Sequence, residues 1–64
     1  MPYATGETPK VGDRVENEAG QAGTVKGLEF DQGNYELSIK WDEGVFGIRY
    51  SITEEFRLIT RGQG

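Results

Sequence analysis

The chain has 64 residues, with 11 acidic against 7 basic side chains, a net charge of −4, and neither cysteine nor histidine. The missing cysteines exclude a disulfide framework and a thiolate metal site, and the missing histidines remove the commonest metal ligand and general base. The acidic balance argues against broad attraction to nucleic acid or to an anionic membrane, since both require a positive field. With no long apolar run and no signal-peptide core, the sequence predicts a cytoplasmic protein without a membrane partner.

Residues 1–9 hold both prolines, a glycine and two threonines, with little apolar content. This composition predicts a flexible leader that ends at Pro9, and a short recognition tail is the alternative. The folded part is predicted to span residues 10–60, and residues 61–64 are predicted to form a flexible polar tail.

The sequence predicts a short first strand around Val15 and a second strand over about residues 23–30, with a polar loop between them. Gly27 interrupts the alternation of the second strand, because Val25 and Leu28 face the same side only if one residue is inserted. We therefore predict a β-bulge at Gly27, which would also bend the strand as closure of a small barrel requires.

The most regular pattern is a hairpin over residues 35–50. Apolar residues recur with a period of two on both sides of a turn centred on Glu43 and Gly44. A one-residue slip would invert every side chain, so a four-residue loop at 42–45, which keeps the apolar residues on one face, is preferred. The predicted apolar partners are Trp41 with Phe46, Ile39 with Ile48, and Leu37 with Tyr50. On the other face, the same register sets Ser38 opposite Arg49 and Lys40 opposite Gly47.

The chain closes with a turn and a short strand at residues 56–59. Ser51 followed by Glu54 has the form of a capping box, and with so few residues after it the pattern predicts a single 3₁₀ turn. Five short strands with a short 3₁₀ turn before the last predict an all-β fold, a five-stranded SH3-like barrel. An OB-type barrel is the alternative, but such barrels are usually longer and have a helix between the third and fourth strands.

One group of motifs consists of Gly12-Asp13-Arg14-Val15, then Gly20, then Gly23-Thr24-Val25. It resembles a KOW motif, in which Gly-Asp-x-Val and a glycine-containing loop precede Gly-x-Val. This resemblance implies an SH3-like barrel that contacts RNA or ribosomal and transcription proteins through the loop after the first strand. In this chain that loop, residues 16–21, has two acids and no base.

A second group spans most of the chain and consists of Gly23-Thr24-Val25, Ile39, Trp41-Asp42, Gly44, Tyr50 and Phe56-Arg57-Leu58. It is similar to the small barrels of mind-bomb-type and Tudor-like domains. This resemblance also implies an SH3-like barrel. As a function it implies recognition of peptides, sometimes of methylated lysine or arginine in an aromatic cage.

Aromatic and acidic residues meet at one end of the predicted hairpin, which is the candidate surface for binding a protein or peptide. Its residues are Trp41, Asp42, Glu43 and Phe46, with Tyr35 and Tyr50 as secondary contacts. Exposed ring faces beside a carboxylate would hold a cationic side chain. The alternative is that Trp41 and Phe46 form a cross-strand pair in the core.

Lys26, Lys40 and Arg49 form a basic stripe on the predicted outer face of the sheet, which is an alternative nucleic-acid-binding surface. Gly47 would leave a shallow dip beside Lys40, where a base or a backbone could approach closely. The competing interpretation is ordinary cross-strand pairing of these cations with nearby acids such as Asp42, which is common on exposed sheets.

No pattern in the sequence supports catalysis or metal binding. Adjacent acids such as Asp42 and Glu43 diverge on a turn, no nucleophile–base pair is present, and a hard-cation site needs several oxygen ligands on one loop. We therefore predict a non-catalytic module without a cofactor that binds a protein or peptide, and a KOW-like nucleic-acid or ribonucleoprotein module is the alternative. The chain is expected to be a monomer or a weak homo-oligomer.

Overall fold

The structure, a computed structural model, describes residues 2–44, 46–50 and 53–62, and the side chains of all of these except 31, 46–50 and 54. One antiparallel sheet contains the strands β1 (Arg14–Glu16), β2 (Ala22–Asp31), β3 (Asn34–Trp41), β4 (Phe46–Tyr50) and β5 (Arg57–Thr60). A 3₁₀ turn, Thr53–Glu55, precedes β5. The predicted all-β class is confirmed.

The strand order is β4-β3-β2-β1-β5, so β1 lies between β2 and β5 although β5 comes last in the chain. In the described part of the chain the sheet is open, with β4 and β5 at its two ends. The described residues include no helix long and apolar enough to cross a membrane.

The β2–β3 hairpin is the longest pairing, and it turns tightly at Gln32 and Gly33. Both residues have positive φ, 52° and 83°, as a two-residue type I′ turn requires. Further along, Val25 pairs with Ile39 and Gly27 with Ser38, so Lys26 is the extra residue of a bulge. The predicted bulge at Gly27 is therefore confirmed.

The β3–β4 pairing follows the predicted register only at its far end. Leu37 lies opposite Tyr50 and Ser38 opposite Arg49, as predicted, but Lys40 lies opposite Phe46. Gly47 and Ile48 of β4 therefore lie opposite the single residue Ile39 of β3. The predicted pairs of Trp41 with Phe46 and of Lys40 with Gly47 are wrong, because a second bulge shifts β4 by one residue and increases the local twist.

The inward face of the sheet carries the core. Its buried apolar residues are Tyr3, Val15, Val25, Leu37, Ile39 and Phe56, and Leu28, Trp41 and Leu58 pack against them. Tyr3 comes from the predicted leader, yet it is only 2% exposed. A sheet of so few residues buries only part of its apolar surface by itself, so two aromatic rings from outside the strands, those of Tyr3 and Phe56, complete the core.

Residues 2–9, which we call the N-terminal strap, lie along the outer edge of β5. The Ala4 amide donates to the Phe56 carbonyl at 2.8 Å, and the Leu58 amide donates to the Thr5 hydroxyl at 3.2 Å. The strap therefore covers backbone groups that an edge strand would otherwise expose. The predicted start of the folded part at residue 10 is corrected accordingly, and the composition missed it because Tyr3 is a single anchor without periodicity.

The buried carboxylate of Asp13 joins the strap to the end of the chain. It accepts hydrogen bonds from the Tyr3 hydroxyl at 2.6 Å, the Lys10 amide at 2.9 Å and the Gly62 amide at 2.6 Å. The Arg61 Nε lies 3.6 Å from it. Residues 61 and 62 of the predicted tail thus belong to the folded domain.

Candidate functional site

A cleft of about 290 Å³ opens at one end of the sheet. One wall is formed by Gly20 and Gln21 of the loop between β1 and β2, together with Ala22 at the start of β2. The other is formed by Trp41 at the end of β3 and by Asp42 and Glu43, which follow it. The structure thus brings together three of the six residues predicted for the binding surface. The loop residues were not predicted, since only the β1–β2–β3 pairing carries them to the hairpin end.

The loop wall is fixed by Asn17. Its side-chain oxygen accepts hydrogen bonds from the Ala19 amide at 3.0 Å and the Gln21 amide at 2.9 Å, and its side-chain nitrogen donates to the Gln21 amide oxygen at 2.8 Å. Gly20 turns the chain with a φ of 84°, a conformation that glycine adopts without steric cost. This wall of the cleft is therefore a tight turn in which the Ala19 and Gln21 amides have hydrogen-bond acceptors within the loop.

Trp41, the single tryptophan of the chain, is half-buried and connects the cleft to the core. Its ring lies 6.0 Å from that of Phe56, at 42°. Gly23 lies opposite it on β2, where a Cβ atom would come within 2.9 Å of the Trp41 ring and 2.7 Å of Ile39. Trp41 therefore packs on the core and also lines the cleft, although not as the predicted cross-strand partner of Phe46.

Asp42 is held by Arg14. The guanidinium donates to the two carboxylate oxygens at 2.7 and 2.5 Å and to the Thr24 hydroxyl at 2.9 Å. The hydrogen bonds from Arg14 lower the pKa of Asp42, and those to Asp42 raise the pKa of Arg14. Because this charge is already paired, Glu43, which is exposed, is the carboxylate better placed to meet a cationic ligand.

The pairing explains why Arg14 was missed as a site residue. Arg14 lies beside Thr24 on β2, and Thr24 lies beside Lys40 on β3. Three strands must be aligned before Arg14 comes near Asp42, and the sequence predicted only the β3–β4 register in detail. The outward alternation of Arg14 relative to Val15 was the available signal.

The other predicted contact residues lie elsewhere or outside the described part of the chain. Tyr35 is six residues from Trp41 along β3, about 20 Å at the usual rise of a strand, and it packs against Phe30 with ring centroids 4.8 Å apart. It is not part of the cleft. The side chains of Phe46 and Tyr50 lie outside the described residues.

The predicted basic stripe is described only in part. Lys26, at the bulge, and Lys40 are both exposed, whereas the side chain of Arg49 lies outside the described residues. Two other arginines of the sheet are paired with acids, Arg14 with Asp42 and Arg57 with Glu16. The outer face therefore mixes both signs of charge.

Among the described residues, no group of three or more acidic, cysteine or histidine side chains is placed to hold a metal ion. All of their buried side-chain nitrogen and oxygen atoms have hydrogen-bond partners. Comparison with known proteins found no matching family model, curated protein or solved structure.

Proposed function

We propose that the chain is a small non-catalytic SH3-like barrel that binds a protein or peptide in the cleft beside Trp41. The observation that carries this proposal is the cleft itself, where the only tryptophan lies on the core and faces a tightly turned loop. The cleft is at the lower end of the size range of ligand pockets. Its size suits one or two side chains of a peptide.

The barrel part of the proposal is supported by the strand order and the bulges. A meander from β1 to β4, with β5 returning beside β1 after a 3₁₀ turn, is the layout expected of that architecture. The bulges at Lys26 in β2 and within β4 supply the bends that curl a sheet toward closure.

The chemistry of the cleft favours a peptide with an apolar or basic side chain. The indole ring of Trp41 offers a flat apolar surface, and a tryptophan face also attracts cations. Glu43 adds a carboxylate on the rim, and Gln21 contributes an amide. Because Trp41 is seated on the core, little side-chain entropy is lost when a ligand packs against it.

Selection of peptides from a random displayed library against the full chain tests the proposal. Bound peptides should change the fluorescence of Trp41, and their affinity should fall in Glu43→Ala and Gln21→Ala. Tyr35→Ala, at the far end of β3, is the matched control and should bind as the wild type does. If no peptide is enriched, or if the cleft variants bind normally, the proposal is wrong.

Nucleic-acid binding is the second candidate, and the exposure of Lys26 and Lys40 on the outer face favours it. An amide NMR titration with short single-stranded RNA and DNA at low and moderate salt distinguishes it from the first. Shifts at Lys26, Lys40 and Arg49 that fade as salt rises would favour this candidate, because phosphate contacts weaken with salt. Unchanged spectra at low salt would exclude it.

A further inference from the structure

We propose, on the basis of the function proposed above, that Arg14 is a positioning residue that sets the charge preference of the cleft. Through Arg14 the cleft selects an apolar side chain of a peptide over a cationic one. The Trp41 ring alone could accept either kind of side chain. The observation that decides between them is the pairing of Asp42, a residue of the cleft wall, with an arginine two strands away.

Arg14 reaches Asp42 across β2. Its guanidinium donates to both carboxylate oxygens, at 2.7 and 2.5 Å, and its hydrogen bond to the Thr24 hydroxyl at 2.9 Å orients it from the strand between. The Asp42 amide donates to the Ala22 carbonyl at 3.0 Å, so the backbone of this wall is fixed as well. A ligand cation could use this carboxylate only by displacing a guanidinium that already makes two parallel hydrogen bonds with it.

Two cations offset the two acids of the cleft wall, Asp42 and Glu43. One is Arg14, and the other is Lys40, which lies opposite Thr24 on the same face of the sheet as Arg14. Lys40 and Glu43 are both exposed. A ligand cation would therefore meet two positive charges as well as the carboxylate of Glu43, and the local field gives it little net attraction.

The lining of the cleft offers apolar surface. Trp41 and Ala22 contribute to it, and the ring of Trp41 lies 6.0 Å from that of Phe56. A volume of about 290 Å³ accommodates a side chain of the size of leucine or phenylalanine. Packing such a side chain against the indole ring removes apolar surface of both partners from water. A cation would instead give up part of its hydration for an exposed cation–π contact, which is weak.

The test compares two matched peptides on the full chain and its variants. A random heptapeptide library displayed on phage is first selected against the wild type, which should enrich leucine, methionine or phenylalanine at one position. The enriched peptide is then synthesised with that residue and with lysine in its place. We expect the wild type to bind the apolar peptide more tightly. Arg14→Gln should shift the ratio of the two affinities about two- to fivefold toward the lysine peptide, the effect of one exposed charge.

Three further variants separate the charge of Arg14 from its effect on the shape of the wall. Arg14→Lys keeps the positive charge and should keep the wild-type ratio, and Asp42→Asn added to Arg14→Gln should restore it. Arg57→Gln makes the same change in net charge at an arginine that is paired with Glu16 and does not line the cleft, so it should leave the ratio unchanged. A distorted wall would weaken both peptides together without moving the ratio, and far-UV circular dichroism verifies that each variant is folded.

The outcomes distinguish a wrong function from a wrong role for Arg14. If the wild type enriches no peptide, the proposed function is overturned and the role of Arg14 with it. If the wild type enriches lysine or arginine, or if the ratio stays the same in Arg14→Gln, the role of Arg14 alone is overturned and the cleft remains a peptide site. An equal shift of the ratio in Arg57→Gln would also overturn that role, because net charge rather than the pair beside the cleft would then set the preference.

Discussion

Two aspartates, each beside an arginine, lie in opposite surroundings. The side chain of Asp13 has no exposed surface and has donors from both ends of the chain, whereas that of Asp42 is 46% exposed and is held by Arg14. Asp13 closes the domain and Asp42 borders the cleft. Arg61 lies 3.6 Å from the buried Asp13, whereas Arg14 donates two hydrogen bonds to the exposed Asp42. Because burial removes the screening and the alternative hydrogen bonds that water supplies, we expect Asp13 to matter far more for stability than Asp42.

The buried carboxylate is tolerable because its hydrogen bonds replace water. A carboxylate without partners would be costly to bury, whereas one with several donors and a nearby guanidinium is compensated. Its partners come from Tyr3, Lys10 and Gly62, so a single side chain ties together segments that are distant in sequence. The exposed pair of Asp42 faces solvent, which screens its charge.

Asp13→Ala should have the largest effect. It leaves the Tyr3 hydroxyl and the Lys10 and Gly62 amides without their acceptor, and removing one side of a buried polar network typically costs about 3 kcal/mol or more. A chain of this length has a total stability of about 3–10 kcal/mol. We expect most of the protein to be unfolded, as measured by circular dichroism and urea denaturation. A urea midpoint close to that of the wild type would show that burial does not separate the two aspartates.

Gly23→Ala should have the next largest effect, and it acts at the cleft end. The added methyl group would meet Ile39 at 2.7 Å and the Trp41 ring at 2.9 Å, and overpacking of this kind costs about 1–3 kcal/mol. Urea denaturation should show the loss, and the fluorescence maximum of Trp41 should shift because its ring must move. An unchanged fluorescence spectrum would mean that Gly23 does not position the Trp41 ring.

The sequence predicts contacts between residues that are close along the chain better than contacts between distant ones. The alternation of residues 35–41 and the broken alternation at Gly27 are local, and they predicted β3 and the first bulge correctly. The bulge in β4 was missed because Gly47 and Ile48 have no unusual spacing, so the expected pair of Trp41 with Phe46 was wrong.

The two aspartates themselves show where sequence reasoning stops. Asp13 was recognised only as part of a KOW-like motif, because its partner Tyr3 is ten residues away and Gly62 is near the end of the chain. Asp42 was predicted as part of the candidate binding surface and borders the cleft, but its partner Arg14 is 28 residues away and was not predicted. Both aspartates belonged to motifs that the sequence revealed. Their contact partners could be assigned only once the sheet topology was known.

Tyr3→Phe tests the Asp13 end more gently, since it keeps the ring and removes one hydrogen bond to a buried carboxylate. The loss should be about 1–2 kcal/mol near neutral pH, measured by urea denaturation. Burial, together with the hydrogen bond to Asp13, raises the pKa of the Tyr3 hydroxyl. The unfolded chain loses this proton near pH 10 while the folded chain keeps it, so the stability of the wild type should fall as pH rises above about 10. The gap between wild type and Tyr3→Phe should therefore narrow in that range, and a gap that stayed constant would contradict the assigned hydrogen bond.

Asp42→Asn should have the smallest effect on stability. At pH 7 we expect its urea midpoint to lie only slightly below that of the wild type, because the pair with Arg14 is open to solvent and Arg14 keeps its hydrogen bond to Thr24. The hydrogen bonds from Arg14 lower the pKa of Asp42, so its contribution is present at neutral pH and is lost only as pH falls through that lowered value. A large fall in the urea midpoint of Asp42→Asn relative to the wild type, persisting in high salt and in acid, would contradict this expectation. It would mean that the exposed pair contributes to stability as strongly as the buried Asp13 does. Exposure would then no longer explain why one aspartate closes the domain while the other borders a cleft.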